Sequence, residues 1–298
     1  MRHINTLVMM YSIENSQLKV TIAALGAELQ SIFSKEHQLE YLWNADPAFW
    51  PKHSPVLFPI IGTLRDNRYT FNGQWYELGR HGFAREKNFA PASEAPESIQ
   101  FLLKDDEHTR QHFPFEFEFR IMYKINQNEL GVTYEVKNPG KEDLYFSVGG
   151  HPAFKLPLVG ETSYDDYYLE FNEEETKPRW PISKDGLIEK EPVPLLVSTD
   201  RLPLSKQLFA KDAVVLKFPT SSIVSLRSDK TVHGLDFNFE GFPYLGLWAA
   251  PRADFLCIEP WCGIADPVDS DQQLIHKEGI ERLSPGAVFS RVWTATFF

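Results

Sequence analysis

Residues Phe115–Tyr123 read Phe-Glu-Phe-Glu-Phe-Arg-Ile-Met-Tyr. Apolar and polar residues alternate in this stretch, which indicates a β-strand with one buried face. A polar turn, Asn126–Glu129, follows, and the alternation returns from Leu130 to Val136. These two runs predict an antiparallel hairpin.

Further strand patterns fill the chain, whereas helical periodicity is scarce. Arg68–Phe71 and Gln74–Leu78 flank Asn72-Gly73, and an Asn-Gly pair between two such runs is a strong hairpin signal. A short turn of helix is predicted at Asp105–His112. The other predicted strands are Leu18–Ala23, Ile99–Leu103, Leu144–Val148, Ala213–Phe218, Ile223–Leu226, Tyr244–Trp248, Phe255–Glu259 and Val288–Phe297. Since strands do not alternate with helices, we expect an all-β fold of packed antiparallel sheets, as one domain over residues 1–298.

Charge and composition exclude several classes of partner. The 298 residues include 30 Lys+Arg and 41 Asp+Glu, a formal net charge of −11. Nucleic acids and anionic membranes need a basic patch, so we expect neither as a partner. The sequence has no apolar run of about 18 residues, and Leu7–Tyr11 is too short for a signal-peptide core. We therefore expect a cytoplasmic protein, in which the two cysteines, Cys257 and Cys262, stay reduced.

One acidic segment stands out from the rest of the chain. Glu161–Asp200 contains eleven acidic and four basic residues, together with several prolines. Such a segment is typical of a solvated excursion on one side of a fold. We do not interpret it as a domain boundary.

Ionisable residues occur in three stretches that are otherwise apolar or rich in glycine: Gly79–Arg85, Ser147–Phe154 and Phe255–Gly263. Sequence motifs for nucleotide phosphates, serine hydrolases and zinc proteases are absent. Chemistry should therefore be sought in these three stretches.

Glu259 follows the apolar run Phe255–Ile258. A carboxylate at that point is costly unless it is paired or faces a wet cleft. Pro260 is expected to stop the strand, and Trp261 offers an apolar face of the kind that stacks on sugar rings. The alternative is a strand-end carboxylate that neighbouring backbone or an arginine satisfies.

His151 follows a predicted strand and two glycines, which let a ligand approach the backbone closely. His81 and Arg85 flank Gly82-Phe83-Ala84. Taken singly, each histidine could be structural, and Arg85 could pair with one of the many acids. Taken together, a His and a Glu that converge on a cleft, with further donors nearby, predict an acid–base pair around a polyhydroxylated ligand.

At these residues the sequence resembles the aldose 1-epimerase (mutarotase) superfamily, and within it the LacX-like branch found with lactose and tagatose pathways. The resemblance covers nearly the whole chain, in the family's order. It is carried by Pro55–Gly62, His81–Arg85, Gly149–Phe154, Phe209–Val215 and Cys257–Trp261 through Asp266.

This resemblance implies a galactose mutarotase-like β-supersandwich that acts without a metal or an organic cofactor. By motif, His151 falls on the family's general acid and Glu259 on its general base. His81, Asp212 and an arginine would bind the sugar, which is the only partner expected. Whether the protein is a monomer or a homodimer stays open.

Two departures from the family's patterns bear on the substrate. The hexose 6-phosphate branch shares His-Gly-Phe-Ala-Arg but has Arg-Gly-Gly where this chain has Pro51–Ser54, so a phosphate-binding arginine is missing. The galactose mutarotase branch has its binding arginine directly after a glycine. Here Thr63 follows Gly62, and Arg65 is the nearest candidate.

Three functions remain as alternatives at this stage. The first is an aldose 1-epimerase, acting on a free aldose or on a hexose 6-phosphate. The second is a sugar-binding protein without catalysis, which would need the cleft but not the pair. The third is a glycoside hydrolase or lyase, but hydrolases generally use two carboxylates, and only Glu259 stands in a suitable setting.

Overall fold

The structure is a computed structural model, and it describes residues 9–298. Residues 1–8 lie outside the described residues. They include the start of the apolar run Leu7–Tyr11 and the start of the domain predicted over residues 1–298. The chain forms one short helix, α1 (Glu107–His112), and, in order, the strands β1 (Met10–Glu14), β2 (Leu18–Ala23), β3 (Glu28–Ser34), β4 (Leu39–Glu40), β5 (Val56–Leu57), β6 (Arg68–Phe71), β7 (Gln74–Glu77), β8 (Ala90–Ala95), β9 (Ser98–Lys104), β10 (Glu118–Asn126), β11 (Glu129–Lys137), β12 (Leu144–Phe146), β13 (Val148–Gly150), β14 (Ala153–Lys155), β15 (Tyr167–Glu175), β16 (Pro178–Arg179), β17 (Val193–Pro194), β18 (Thr199–Pro203), β19 (Val214–Lys217), β20 (Ile223–Ser228), β21 (Thr231–Asn238), β22 (Tyr244–Trp248), β23 (Phe255–Cys262), β24 (Glu281–Leu283) and β25 (Val288–Phe297).

Antiparallel sheets make up the architecture. The largest has nine strands in the order β18-β15-β20-β21-β25-β11-β10-β9-β8. A six-stranded sheet has the order β19-β22-β23-β13-β5, with β14 also paired to β23. The described residues also form a four-stranded sheet, β1 to β4, and three two-stranded sheets, β6-β7, β12-β24 and β16-β17. The predicted all-β fold of antiparallel sheets is confirmed.

The hairpin that the sequence predicts first lies within the nine-stranded sheet. β10 and β11 pair from Glu118↔Lys137 to Asn126↔Glu129, which leaves a two-residue turn. Every second residue of β10 is buried, as the alternation requires. The strand begins at Glu118 and not at Phe115, because the Phe117 N–H donates to Asp105 Oδ1 at 3.0 Å instead of entering the ladder.

The second hairpin and the helix are confirmed as well. Asn72 and Gly73 have φ of 49° and 75°, the left-handed conformation that a two-residue hairpin turn of type I′ requires. Asp106 begins α1 by accepting a hydrogen bond from the Thr109 N–H at 2.6 Å, which satisfies a free donor of the first turn. No helix among residues 9–298 is long and apolar enough to cross a membrane.

Two predicted strand boundaries differ in a way that matters for the site. The run Leu144–Val148 divides at Ser147, whose N–H donates to Pro59 O, so that β12 pairs with β24 and β13 pairs with β23. Pro260 does not stop its strand, because β23 runs on to Cys262. Along one side of β23 the partner changes from β14 to β13, and Pro260 falls between the two, where the missing N–H is tolerated.

Candidate functional site

A cavity of about 330 Å³ opens beside β23 in the six-stranded sheet. It is lined by six of the seven residues that the sequence predicts for the site: His81, Arg85, His151, Asp212, Glu259 and Trp261. Trp50, Trp248, Ile182 and Ile188 add apolar walls. A concave, mostly apolar pocket with a few converging polar groups is the usual form of a small-molecule site.

At the floor of this cavity, His151 Nε2 lies 3.3 Å from Glu259 Oε2. The two side chains are only 11% and 2% exposed. Burial lowers the pKa of His151 to about 3, and the positive charges of Arg80 and Arg85 also disfavour its protonation. Burial likewise raises the pKa of Glu259 well above its ordinary value, although Arg80 opposes this. Burial thus favours the uncharged form of both groups.

The geometry of the chain fixes where His151 points. A side chain on Gly149 would lie 2.7 Å from Pro260 O, and one on Gly150 would lie 2.5 Å from Tyr134 Oη. Tyr134 cannot yield freely, because its hydroxyl accepts a hydrogen bond from Trp293 Nε1 at 3.0 Å. The two glycines are therefore needed for the backbone to pass between these neighbours.

Aromatic rings hold the imidazole of His151 in place. The ring of Trp50 stacks on it, with centroids 5.0 Å apart and planes inclined by 28°. Trp248 meets it edge-on at 5.6 Å. The indole of Trp261, which also lines the cavity, packs against β22, where a Cβ on Gly246 would come within 2.4 Å of it.

His81 lies in the cavity wall as a neutral imidazole. Burial lowers its pKa well below the ordinary value, with the nearby His151 and the two arginines adding to the effect. The Gly62 N–H points at His81 Nδ1, with 3.1 Å between the nitrogens, and the Arg80 Nε–H points at His81 Nε2, with 3.3 Å between the nitrogens. A neutral imidazole accepts at only one nitrogen, so one of these two contacts is a hydrogen bond.

Arg80 is the functional candidate that the sequence reasoning missed. Its guanidinium lines the cavity, and Nη2 lies 3.7 Å from Asp212 Oδ1. Arg85 supports it, since Arg85 Nη2 donates to Arg80 O at 2.9 Å. A signal was present in the sequence: Arg80 directly precedes His81 in the stretch Gly79–Arg85.

Comparison with known proteins agrees with this fold and cavity. The sequence model of the family named Aldose 1-epimerase matches residues 9–271. The chain belongs to the aldose 1-epimerase family.

Relatives of this aldose 1-epimerase family member include the plasmid-encoded protein LacX of Lactococcus lactis subsp. lactis. It is 33% identical over 287 residues, which cover 93% of this chain and 95% of LacX. Among solved structures, a galactose mutarotase related enzyme from Lactobacillus acidophilus has 39% identity and a TM-score of 0.92, with 97% of both chains covered. A galactose mutarotase-like protein from Lactobacillus casei ATCC 334 has 30% identity and a TM-score of 0.92. The match covers 97% of this chain and 100% of that protein's chain. The predicted family and its β-supersandwich fold are confirmed.

In this member of the aldose 1-epimerase family, Arg65 does not join the other predicted residues. Its N–H donates to Asp266 Oδ2 at 3.0 Å, and its Nη1 donates to Ser270 O at 2.9 Å. The buried Leu64 separates it from Gly62, at the cavity wall. These contacts hold the guanidinium outside the cavity, and Arg80 is the arginine that lies inside.

The acidic segment Glu161–Asp200 is only partly the solvated excursion that its composition predicts. Ile182, Gly186 and Ile188 line the cavity. Glu175 is fully buried and accepts the Ser221 N–H at 2.7 Å. The apolar residues of the segment thus form part of the cavity wall. The count of charged residues did not predict this contact.

One group of residues has the composition of a metal site. His151, Cys257 and Glu259 each offer a ligand atom within 4.8 Å of the others, and all three are buried. The sequence predicted no metal ligands, because the spacing of Cys257 and Cys262 matches no zinc motif. The fold assembles this group from two separate parts of the chain.

Proposed function

We propose that this protein is an aldose 1-epimerase that interconverts the α and β anomers of an aldose, with His151 and Glu259 as its acid–base pair. The observation that carries the proposal is the 3.3 Å contact between His151 Nε2 and Glu259 Oε2 at the floor of the cavity. Membership of the family supports the reaction class.

Mutarotation moves two protons and leaves no net charge. One proton leaves the anomeric hydroxyl, another reaches the ring oxygen, and the C1–O5 bond opens to give the aldehyde. Rotation about C1–C2 and reclosure with the two transfers reversed give the other anomer. Because the two sugar oxygens are bonded to the same carbon, a donor and an acceptor that lie side by side can serve both.

The His151–Glu259 pair has the proton inventory that this reaction needs. Burial favours a protonated Glu259 and a neutral His151, so Glu259 can donate to the ring oxygen while His151 Nε2 accepts from the hydroxyl. The resemblance implies the reverse assignment, with Glu259 as the base. Since the two forms differ only by the transfer of one proton across the contact, the pair acts as a unit.

The remaining polar residues would orient the sugar. The guanidinium groups of Arg80 and Arg85 can donate to hydroxyl oxygens, Asp212 can accept from a hydroxyl, and His81 lies beside them in the cavity. Trp261 or Trp248 would pack on the apolar face of the ring. All these residues belong to one chain, so the reaction requires no second copy, and we propose a cytoplasmic monomer or homodimer.

A hexose 6-phosphate is the second candidate substrate. Two arginines, Arg80 and Arg85, line the cavity, and arginine is well suited to phosphate. The carboxylate of Asp212, 3.7 Å from Arg80, already offsets part of this charge. We therefore favour an uncharged aldose.

Exchange between anomers, measured by NMR on equilibrated sugars, tests the proposal. The panel should hold glucose, galactose, xylose and the available 6-phosphates. Exchange faster than in buffer alone would identify the activity, and the fastest sugar would identify the substrate. Saturable binding without faster exchange on any sugar would instead indicate a binding protein.

We expect Arg80→Ala to raise KM about tenfold, because it removes a charged hydrogen bond to the sugar. The matched control is Arg65→Ala, which should leave both kcat and KM near wild type, since Arg65 points away from the cavity. Steady-state kinetics on the best sugar of the panel would decide. The opposite pattern, with Arg65→Ala impaired and Arg80→Ala normal, would contradict this assignment.

The pH dependence of exchange should carry no step near the ordinary histidine pKa of about 6.5. His151 gains a proton only as the pH falls towards its pKa of about 3. The raised pKa of Glu259 moves the loss of its proton to a higher pH than for an ordinary carboxyl group. His151 should therefore contribute no step to the rate near pH 6.5. A loss of rate centred near pH 6.5 would show that His151 titrates as an independent, solvated group.

A further inference from the structure

A buried thiol lies directly beneath the proposed acid–base pair. Cys257 and Glu259 are two residues apart on β23, so their side chains point to the same face of the sheet. Cys257 is fully buried and pairs across the sheet with Ala153 on β14 and Trp248 on β22. The proposed reaction makes no use of this thiol.

The thiol completes a compact set of three donors. One ligand atom from each of His151, Cys257 and Glu259 lies within 4.8 Å of the other two. Within residues 9–298, Glu259 Oε2 makes no hydrogen bond beyond its 3.3 Å contact with His151 Nε2. A carboxylate oxygen has two lone pairs, so Oε2 keeps one that can bind a ligand.

The chemistry of the three donors selects the kind of ligand. Thiolate, imidazole and carboxylate together are ligands of Zn²⁺ and of soft cations like it, whereas Ca²⁺ and Mg²⁺ require mostly oxygen. Tetrahedral bonds of about 2.0–2.3 Å place ligand atoms roughly 3.5 Å apart, so small side-chain rotations would close the cluster. His151 and Glu259 line the cavity, which leaves a fourth position open to water or to a sugar hydroxyl.

We infer that His151, Cys257 and Glu259 form a binding site for a soft divalent cation, Zn²⁺ or Cd²⁺, and that the bound cation blocks the acid–base pair. Binding releases the thiol proton and the proton that the pair shares. The cation then occupies the lone pairs that would accept a proton from the sugar. The blocking half of this inference rests on the proposed function, whereas the binding half does not.

A titration of the full chain with Cd²⁺, followed through the ultraviolet thiolate-to-cadmium absorption, tests the binding half. The wild type should bind one Cd²⁺ and show this band. Cys257→Ser should lose the band and bind about 100-fold more weakly or worse, since loss of outer hydrogen-bond partners alone costs 10- to 100-fold. Cys262→Ser is the matched control, because Cys262 is equally buried but five residues away on the other face of β23, and it should retain the band.

A second variant and a second measurement keep the result clear. Circular dichroism would show whether Cys257→Ser folds. If Cys257→Ser does not fold, Cys257→Ala takes its place and should likewise lose the thiolate-to-cadmium band. Cd²⁺ should inhibit anomer exchange by the wild type and by Cys262→Ser, and Cys257→Ser should escape inhibition. A wild type without the band, or a band that persists in both Cys257 variants, would overturn the site. A band without any anomer exchange would refute the proposed function and leave the metal site standing.

Discussion

Glu259→Gln and His151→Asn should each lower the rate of anomer exchange by about 10²–10⁴-fold while the fold stays intact. Glutamine has nearly the shape of glutamic acid, but it can neither take a proton from the anomeric hydroxyl nor give one to the ring oxygen. Asparagine likewise keeps a polar group at position 151 without a titratable nitrogen. NMR would measure the rate of anomer exchange in each variant, and circular dichroism would verify that each variant is folded.

The pair offers a sharper expectation than either single variant. If the two residues share one proton and act as a unit, the double variant should be no slower than the slower single variant. Glu175→Gln is a matched control, because Glu175 is also fully buried but does not line the cavity. Either single variant within tenfold of the wild-type rate, or a Glu175→Gln rate as low as theirs, would show that the pair does not carry the chemistry.

Lys277→Met should lower the free energy of unfolding by about 3–5 kcal/mol, because it leaves a buried carboxylate without its counter-charge. Lys277 Nζ donates to Asp266 Oδ1 at 2.8 Å, and the two side chains are only 2% and 3% exposed. Asp266 Oδ2 also accepts the Arg65 N–H, so the carboxylate links Lys277 to the segment that precedes β6. Urea denaturation would measure the loss.

A second ion pair in the chain provides the contrast. Lys190 Nζ lies 2.7 Å from Asp269 Oδ2, but both side chains are more than half exposed. Lys190→Met should therefore change the stability much less than Lys277→Met does. Adding Asp266→Asn to Lys277→Met should recover part of the loss, since the unpaired charge is gone. Equal effects of the two lysine variants would contradict a role for burial.

Local patterns predicted most of the fold, because each strand pattern reports its own buried face. The alternation from Phe119 to Tyr123 and the Asn72-Gly73 turn are properties of short stretches, and the structure confirms both. The boundaries that went wrong depend on distant partners. Phe117 leaves the ladder because of Asp105, and Pro260 is tolerated because of how β13 and β14 flank β23.

The site was predictable where unusual residues stand in apolar surroundings, as at His151 and Glu259. It was not predictable where function depends on the direction of a side chain. Arg65 and Arg80 are both arginines near a glycine turn, and only the folded chain shows that one binds Ser270 while the other enters the cavity. Their roles in binding, and those of the acid–base pair, stay predictions.

The position of β25 in the nine-stranded sheet has a consequence for how the chain folds during its synthesis. β25 lies between β21 and β11 in the sheet, yet it follows every other described strand along the chain. While it is still inside the ribosome, β11 and β21 each present an unpaired edge, and such edges invite pairing with other chains. This sheet can be completed only after residues 288–297 have been synthesised, so the two parts of the sheet that β25 joins stay separate until then.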